Sequence, residues 1–205
     1  MSTNEKQELE VKFHVPNLPG VIERLISLNA NLIQGRTHEL NLRFDTPEGE
    51  LTSTFQVLRL RKDSAVRLTY KGPSKILDGV RARKEIEFTA GNFEAAQDFL
   101  EALGYQMIVM YEKYRTIYYL EGAWVMIDEM PFGNFVEVEG ETPAIIKDTA
   151  QRLNLEWDKR LPVSYVGLFK RVKNVLGLSF RDLSFENFRQ ITVPDDIFHP
   201  TPEEV

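Results

Sequence analysis

The sequence contains no cysteine among its 205 residues. This absence excludes disulfide bonds, thiolate metal ligands and a cysteine nucleophile together. The sequence also lacks any apolar run near the roughly 20 residues that a membrane-spanning helix requires. Its polar start, Met1-Ser2-Thr3-Asn4-Glu5-Lys6, has no signal-peptide core. We therefore expect a cytoplasmic protein with no membrane partner.

Basic residues are fewer than acidic ones, with 25 Lys and Arg against 31 Asp and Glu and a net charge of −6. A broad basic surface for nucleic acid is therefore not expected, although a local basic pocket remains compatible with this balance. Hydrophobic residues make up 42% of the chain and charged residues 27%, as in ordinary folded proteins. The length favours one substantial domain over two.

Alternation of apolar and polar residues with a period of two is the main secondary-structure signal, and it is typical of strands with two different faces. It predicts strands at about 7–14, 38–45, 55–61, 65–71, 84–89, 109–119, 123–130 and 134–140. Short polar turns such as Lys62-Asp63-Ser64 join several of them, which favours an antiparallel meander. The expected fold is α+β, a closed or nearly closed antiparallel eight-stranded β-barrel with helices packed on its outer face.

Helical patterns lie between the predicted strands. Apolar residues recur at helical spacing over 21–28, 93–103, 144–153 and 166–176. Segment 72–83 is expected to be a mobile loop at one mouth of the barrel. Residues 1–180 are predicted to form a single domain. Residues 181–205 hold several prolines and few apolar clusters, so we expect a loosely packed C-terminal tail.

Charged side chains occupy one face of each predicted strand, opposite apolar ones. For any single strand, a solvent-exposed face is the simpler interpretation. The near-uniform sign within each strand, the first excepted, favours a closed sheet with this face inward. The set comprises Glu8, Glu10, Lys12, Arg59, Arg61, Arg67, Lys71, Glu85, Glu87, Lys113, Arg115, Asp128, Glu137 and Glu139.

A charged interior of this kind needs a ligand, because buried charges must be paired or bind something. Arginine and lysine bind phosphate oxygens. Carboxylates bind hard divalent cations such as Mg²⁺ or Mn²⁺. A triphosphate with a divalent metal would satisfy both halves of such an interior.

The charged residues also belong to an ordered series of short motifs. They are Glu8-Leu9-Glu10-Val11-Lys12, Phe44-Asp45-Thr46, Leu58-Arg59-Leu60-Arg61, Thr69-Tyr70-Lys71-Gly72-Pro73, Arg83-Lys84-Glu85-Ile86-Glu87, Lys113-Tyr114-Arg115, Asp128, Phe135-Val136-Glu137-Val138-Glu139 and Ser164-Tyr165. Over about 7–172 this series resembles the CYTH superfamily, the triphosphate tunnel metalloenzymes. The superfamily includes class IV adenylyl cyclases, thiamine triphosphatases and inorganic tripolyphosphatases.

The resemblance implies a site with an acidic and a basic half. The implied ligands of Mg²⁺ or Mn²⁺ are Glu8, Glu10, Asp128, Glu137 and Glu139. The implied phosphate-binding residues are Lys12, Arg59, Arg61, Lys71, Lys113 and Arg115, and Glu85 and Glu87 match a position where the family has a further acidic residue. Arg81, Arg83 and Lys84 would either gate the mouth or be solvated charges. For His38, Glu39 and Asn41, contacts to a base or ribose and an ordinary place on the rim both stay open.

Four functions remain compatible with this site. The first is a metal-dependent phosphohydrolase acting on inorganic tripolyphosphate or an organic triphosphate, since hydrolysis of the inorganic chain needs no nucleoside pocket. A class IV adenylyl cyclase converting ATP to cyclic AMP and pyrophosphate is second, and a thiamine triphosphatase third. A non-catalytic polyphosphate- or nucleotide-binding module is fourth; the five implied metal ligands argue against it. A homodimer is compatible with the outer strand faces, and the sequence does not select between Mg²⁺ and Mn²⁺.

Overall fold

The computed structural model describes residues 7–199. The strands are β1 (Gln7–His14), β2 (Asn31–Asp45), β3 (Val57–Lys62), β4 (Val66–Lys71), β5 (Lys75–Leu77), β6 (Val80–Ala90), β7 (Gln106–Leu120), β8 (Ala123–Met130) and β9 (Gly133–Gly140). The α-helices are α1 (Leu18–Ser27), α2 (Glu50–Ser53), α3 (Phe93–Ala102), α4 (Pro143–Arg152), α5 (Tyr165–Leu176) and α6 (Phe185–Phe188). Trp157–Lys159 and Asp195–Phe198 are short 3₁₀ helices. No helix within residues 7–199 is long and apolar enough to cross a membrane.

Eight of the strands form a closed ring. Their order is β1-β9-β8-β7-β2-β3-β4-β6, and pairing between β6 and β1 closes it. All of these pairs are antiparallel. The predicted α+β class, the antiparallel eight-stranded ring and the helices packed on it are confirmed.

The segment at 72–83, expected to be a loop, is largely strand. It contains β5 and the start of β6, which pair through Ile76 and Arg81. Asp78 and Gly79 form the turn between them with φ of 50° and 80°. Two successive positive φ angles match the twist of a tight hairpin. The expectation was wrong because β5 is too short to display alternation.

The outward faces of the ring strands carry many apolar residues, and helices cover part of these faces. Residues of α1 and α4, including Leu25 and Ile146, pack on the outer faces of β1, β8 and β9. On the other side of the ring α3 packs through Phe93 and Leu100 against β2, β3 and β4. Burial of these faces turns the opposite, charged face of each strand toward the ring interior.

One end of the ring interior is filled by apolar side chains. Phe135 on β9 and Val109 on β7 point inward, and they pack against Leu168 and Phe169 of α5. Phe135 lies two residues before Glu137 on the same strand face. The inner face therefore changes from charged to apolar along β9, and α5 closes that end.

The segment 181–199 completes this closed end, which corrects the expectation of a loosely packed tail there. Leu183 and Phe198 are 0% and 1% exposed within the same apolar cluster. The backbone N–H of Leu183 donates to Met110 at 2.9 Å, and that of Glu112 donates to Leu183 at 3.1 Å. The apolar residues of this segment are spaced irregularly, so no periodic pattern in the sequence predicts their burial. Residues 200–205 of the expected tail lie outside the described residues.

Candidate active site

A cavity of about 450 Å³ occupies the ring interior, next to the apolar side chains that fill one end of the ring. Every ring strand contributes side chains to its wall, because the inward positions of all eight strands converge there. The predicted site residues that line it are Glu8, Glu10, Lys12, Arg59, Arg61, Lys71, Glu85, Glu87, Lys113, Arg115, Glu137 and Glu139. Two members of the predicted inward set do not line it: Asp128 lies behind the wall, and Arg67 lies at the rim.

Asp128 is fully buried at the junction of β7, β8 and α5. Its carboxylate accepts hydrogen bonds from Lys113 Nζ at 2.9 Å and Arg115 Nε at 2.6 Å. The Tyr165 hydroxyl donates to it at 2.6 Å. Burial and the charge of Asp128 raise the pKa of Tyr165 well above its usual value, so this hydroxyl stays a donor. Asp128 thus orients two cations and fixes the start of α5.

Ser164 determines where α5 begins. Its side chain accepts a hydrogen bond from the backbone N–H of Gly167 at 3.1 Å and caps the helix. The cap sets Tyr165 at the first helical position, over the ammonium groups of Lys12 and Lys113 at 4.1 and 5.2 Å from the ring centre. The sequence pair Ser164-Tyr165 therefore forms part of the cavity wall.

Glu137 forms ion pairs with two cationic side chains in the cavity wall, next to Asp128. Lys12 Nζ lies 3.0 Å from its carboxylate, and Arg115 donates a short hydrogen bond to it. Burial opposes the charge of Glu137, but Lys12 and Arg115 hold its pKa well below the usual value. Glu137 is therefore ionised and paired in the ligand-free protein.

Glu8 and Glu10 are paired with cations from β4 and β6. Lys71 Nζ donates to Glu8 at 2.6 Å and lies 3.1 Å from Glu85. Arg83 donates to both Glu8 and Glu10 at 3.0 Å. Arg81, 3.6 Å from Glu10, also lines the cavity. The structure thus places both arginines, whose position the sequence left open, inside the ring.

Arg43 is a cavity residue that the sequence analysis missed. It lies directly opposite Arg59 across the β2–β3 pair, and both line the cavity. The Nε atoms of the two side chains are buried and have no hydrogen-bond partner among residues 7–199. Burial lowers the pKa of Arg43, and the nearby Arg59 lowers it further. Alternation with Leu42 and Phe44 was the signal that could have identified it.

His38, Glu39 and Arg67, whose positions the sequence left open, do not lie on the same side of the ring wall. His38 lies outside the ring and hydrogen-bonds Glu112 at 2.7 Å. Glu39 is inside the ring wall; burial opposes its charge, but Lys113, Arg115 and Arg61 lower its pKa to about 2. Arg67 does not line the cavity and pairs with Asp63 at its rim.

We expect the Arg43→Met substitution to weaken binding of tripolyphosphate while raising stability without ligand. Loss of a hydrogen-bonding cation should raise the dissociation constant roughly 10- to 100-fold. Removal of the repulsion between Arg43 and Arg59 should raise the melting temperature of the free protein. Calorimetric titration and thermal unfolding test both effects. Arg36→Met, on the same strand but paired outside the ring with Glu129, should leave the dissociation constant unchanged; a matching loss there would contradict the assignment.

The donors for a divalent cation are carboxylates grouped near the β1–β9 pair. Glu10 and Glu139 are directly opposite across that pair, an arrangement that is repulsive when both are ionised. Burial, together with the charges of Glu8 and Glu85, raises the pKa of Glu139 to about 7. Among residues 7–199 no three acidic or histidine side chains already converge as a metal site, because several carboxylates hold Lys or Arg instead. The oxygen donors suit Mg²⁺ or Mn²⁺, and an ion would displace these pairs.

We expect Mg²⁺ to raise the melting temperature more at pH 8 than at pH 6. The folded-state pKa of Glu139, about 7, exceeds the ordinary 4.5. Protonation of Glu139 therefore favours the metal-free fold: this contribution is fully present below about pH 4.5 and is lost as the pH rises through 7. Binding of the cation must displace that proton, so affinity should fall up to about tenfold per pH unit below 7. Thermal unfolding with and without Mg²⁺ measures this. In Glu139→Gln the difference between the two pH values should shrink; an undiminished difference would contradict the assignment.

Comparison with known proteins places this geometry in a family. A curated relative, adenylate cyclase CyaB of Aeromonas hydrophila, is 25% identical over 187 residues, covering 90% of this chain and 87% of the relative. A solved structure from Pyrococcus horikoshii OT3 superposes with a TM-score of 0.66 at 26% identity, covering 78% of this chain and 97% of that one. A structure from Vibrio parahaemolyticus gives 0.71 at 22% identity, covering 85% and 100%.

The family model described as CYTH domain matches residues 6–171. This span agrees with the ordered motifs from Glu8 to Tyr165, so the resemblance read from the sequence is confirmed. Since the match covers well over half of the chain, the protein belongs to the CYTH domain family.

Proposed function

We propose that this protein is a divalent-metal-dependent phosphohydrolase that acts on inorganic tripolyphosphate or an organic triphosphate. The observation that supports it most is the presence of two like-charged cross-strand pairs in the cavity wall. Arg43 and Arg59 face each other with buried Nε donors that lack partners among the described residues. Across the ring Glu10 and Glu139 face each other as carboxylates. A polyanion with its cation would relieve both repulsions at once.

The basic residues would bind and orient the phosphate chain. Arg115 and Lys113 are held in place by Asp128, and Arg59 by Thr69 at 3.2 Å. Cations fixed in advance stabilise the charge on the equatorial oxygens of a transferring phosphoryl group without reorganising. Asp128 in this proposal is a positioning residue, an alternative to the metal-ligand role that the resemblance implies.

The acidic residues would hold Mg²⁺ or Mn²⁺. We assign this role to Glu8, Glu10, Glu137 and Glu139, with Glu85 and Glu87 holding Lys71 and Arg61 in position. The metal, when bound, polarises the phosphoryl group and lowers the pKa of water. A carboxylate of this group that does not bind the metal, or a second metal, would orient and deprotonate the attacking water.

A class IV adenylyl cyclase is the second candidate, supported by the name of the Aeromonas hydrophila relative. The same charged cavity would then hold ATP. The 3′-hydroxyl of ATP would attack the α-phosphate, and pyrophosphate would leave. A thiamine triphosphatase would differ only in the group beside the phosphates. The cytoplasmic location and a homodimer stay predictions.

Assays of the purified protein with tripolyphosphate, ATP and thiamine triphosphate, each with Mg²⁺ or Mn²⁺, test the proposal. Phosphate release that disappears with a chelator is the expected result. Cyclic AMP with pyrophosphate from ATP would support the cyclase instead. Tight polyphosphate binding without any product would favour the non-catalytic module.

A further inference from the structure

The ring wall has a gap between β1 and the hairpin of β5 and β6. Pairing between β1 and β6 ends at Glu10 and Arg81. Beyond this point β1 contacts a segment that follows α4, because the backbone N–H of Leu161 donates to the carbonyl of Lys12 at 2.7 Å. A second cavity, of about 370 Å³, lies in the gap between this segment and the hairpin.

The second cavity adjoins the ring cavity. Glu10, Lys12 and Arg81 line both cavities, so their side chains lie between the two spaces. Arg81 is 3.6 Å from Glu10, and Lys12 Nζ is 3.0 Å from Glu137. These contacts join side chains rather than backbone groups. A competing anion could therefore break them without disturbing the pairing of the strands.

The charged groups of the second cavity are mostly cations. Lys12, Arg81 and Arg160 line it, and among residues 7–199 Glu10 is the only carboxylate that does. Ammonium and guanidinium groups bind phosphate oxygens, and here they outnumber the acidic groups. The second cavity therefore suits a small anion such as inorganic phosphate.

Arg160 holds the outer rim of the second cavity. Its Nε donates to the backbone carbonyl of Gly79, at the tip of the hairpin, at 3.2 Å, and its Nη1 donates to that of Trp157 at 2.9 Å. Gly79 has a φ of 80°, and a Cβ there would lie only 3.1 Å from Arg160 Nε. The other side of the hairpin, β5, is three residues long and exposed. Few contacts hold the tip, so it can move away from Arg160 and widen the gap.

We propose that the second cavity binds inorganic phosphate and is the exit for the phosphate that hydrolysis releases. The ring cavity also extends to the end away from α5, where Trp124, the strand partner of Glu139, lines it. An exit separate from that end keeps the released phosphate from competing with incoming substrate. The exit rests on the proposed function, because only hydrolysis supplies the phosphate, whereas the anion site does not depend on it.

The absence of cysteine allows a direct test of the exit. Ile76→Cys places a single thiol in the wall of the second cavity, and Leu77→Cys, the matched control, places one on the next residue of β5, which does not line it. Each thiol is modified with a bulky maleimide. Modification at position 76 should lower the turnover rate of tripolyphosphate with Mg²⁺ roughly tenfold or more, because phosphate release becomes rate-limiting. A burst of phosphate formation should precede the slow steady state.

Two further readings complete this experiment. The dissociation constant of tripolyphosphate should stay within about twofold after modification at position 76, because the ring cavity is unchanged. Modification at position 77 should change neither the turnover rate nor the dissociation constant.

Binding of inorganic phosphate tests the anion site without relying on activity. An environment-sensitive dye on Ile76→Cys should report phosphate in the second cavity by a change in emission. Addition of Arg160→Met should raise the dissociation constant of phosphate roughly 10- to 100-fold, and Arg160→Lys, which keeps the charge, should lose less. Lys159→Met is the matched control, since Lys159 pairs with Glu156 at 2.7 Å and does not line this cavity. Thermal unfolding checks that the variants fold.

Each part of the inference can be overturned separately. Unchanged turnover with the bulky group at position 76 would mean that phosphate leaves by another route. A loss of tripolyphosphate affinity equal to the loss of turnover would make the second cavity part of the substrate site. An unchanged phosphate constant in Arg160→Met would refute the anion site. If the unmodified protein releases no phosphate from any triphosphate, the proposed function fails and the exit with it, whereas the phosphate titration still decides the anion site.

Discussion

Asp128→Asn is expected to lower the free energy of unfolding of the metal-free protein by about 3–5 kcal/mol, the cost of breaking a buried ion pair from one side. Asparagine keeps the shape of the side chain but removes its charge. Lys113 and Arg115, both nearly buried, would then face a neutral amide. The Tyr165 hydroxyl would also lose its charged acceptor, so the start of α5 should loosen.

Equilibrium unfolding in urea without metal measures this change. Glu129→Gln is the matched control, because Glu129 is the next residue on β8 and its ion pair with Arg36 lies outside, with side chains 32% and 53% exposed. An exposed pair of that kind contributes about 0–1 kcal/mol. If Asp128→Asn kept wild-type stability and only its Mg²⁺ requirement rose, Asp128 would be a metal ligand rather than a positioning residue.

Glu10→Gln is expected to reduce turnover about 10²- to 10³-fold, the range for losing one group that stabilises charge in a transition state. Glutamine can still hydrogen-bond to Arg83, so the fold should be largely kept. What it cannot supply is the negative charge opposite Glu139 that a divalent cation requires. The rate at saturating substrate should fall, and the Mg²⁺ concentration for half-maximal rate should rise.

Steady-state assays across a Mg²⁺ series, with thermal unfolding as the check on folding, provide the measurement. Glu121→Gln is a suitable control, since Glu121 is exposed and pairs with Arg152 away from the cavity. That variant should behave like the wild type. Near-normal turnover of Glu10→Gln at the usual Mg²⁺ concentration would refute the metal assignment.

The ring strands and their inward charges could be predicted because the side-chain period of a strand is local. For Glu10, Lys71 and Glu137, the apolar residues on either side are enough to predict which strand face the side chain occupies. The structure places all three side chains in the cavity wall. Arg43 obeyed the same rule but belonged to none of the ordered motifs. Its position was available from alternation and was missed.

Other features of the site depend on contacts between distant segments. Arg81 and Arg83 face the cavity because β6 continues past β4 to pair with β1. Phe135 and Glu137 share one strand face, and only the seating of α5 and residues 181–199 makes one end apolar and closed. Nothing in the spacing of Leu183 or Phe198 indicates this.

The sequence by itself determined the class of fold, the family and the two charge signs of the interior, since alternation and motif order are properties of neighbouring residues. Only the tertiary structure decided which cations hold Glu8 and Glu10, that Asp128 lies behind the wall, and that Trp124 faces the cavity. Those outcomes depend on ring closure and on the packing of α5. Both bring together residues far apart in the chain, whose pairing no local pattern encodes.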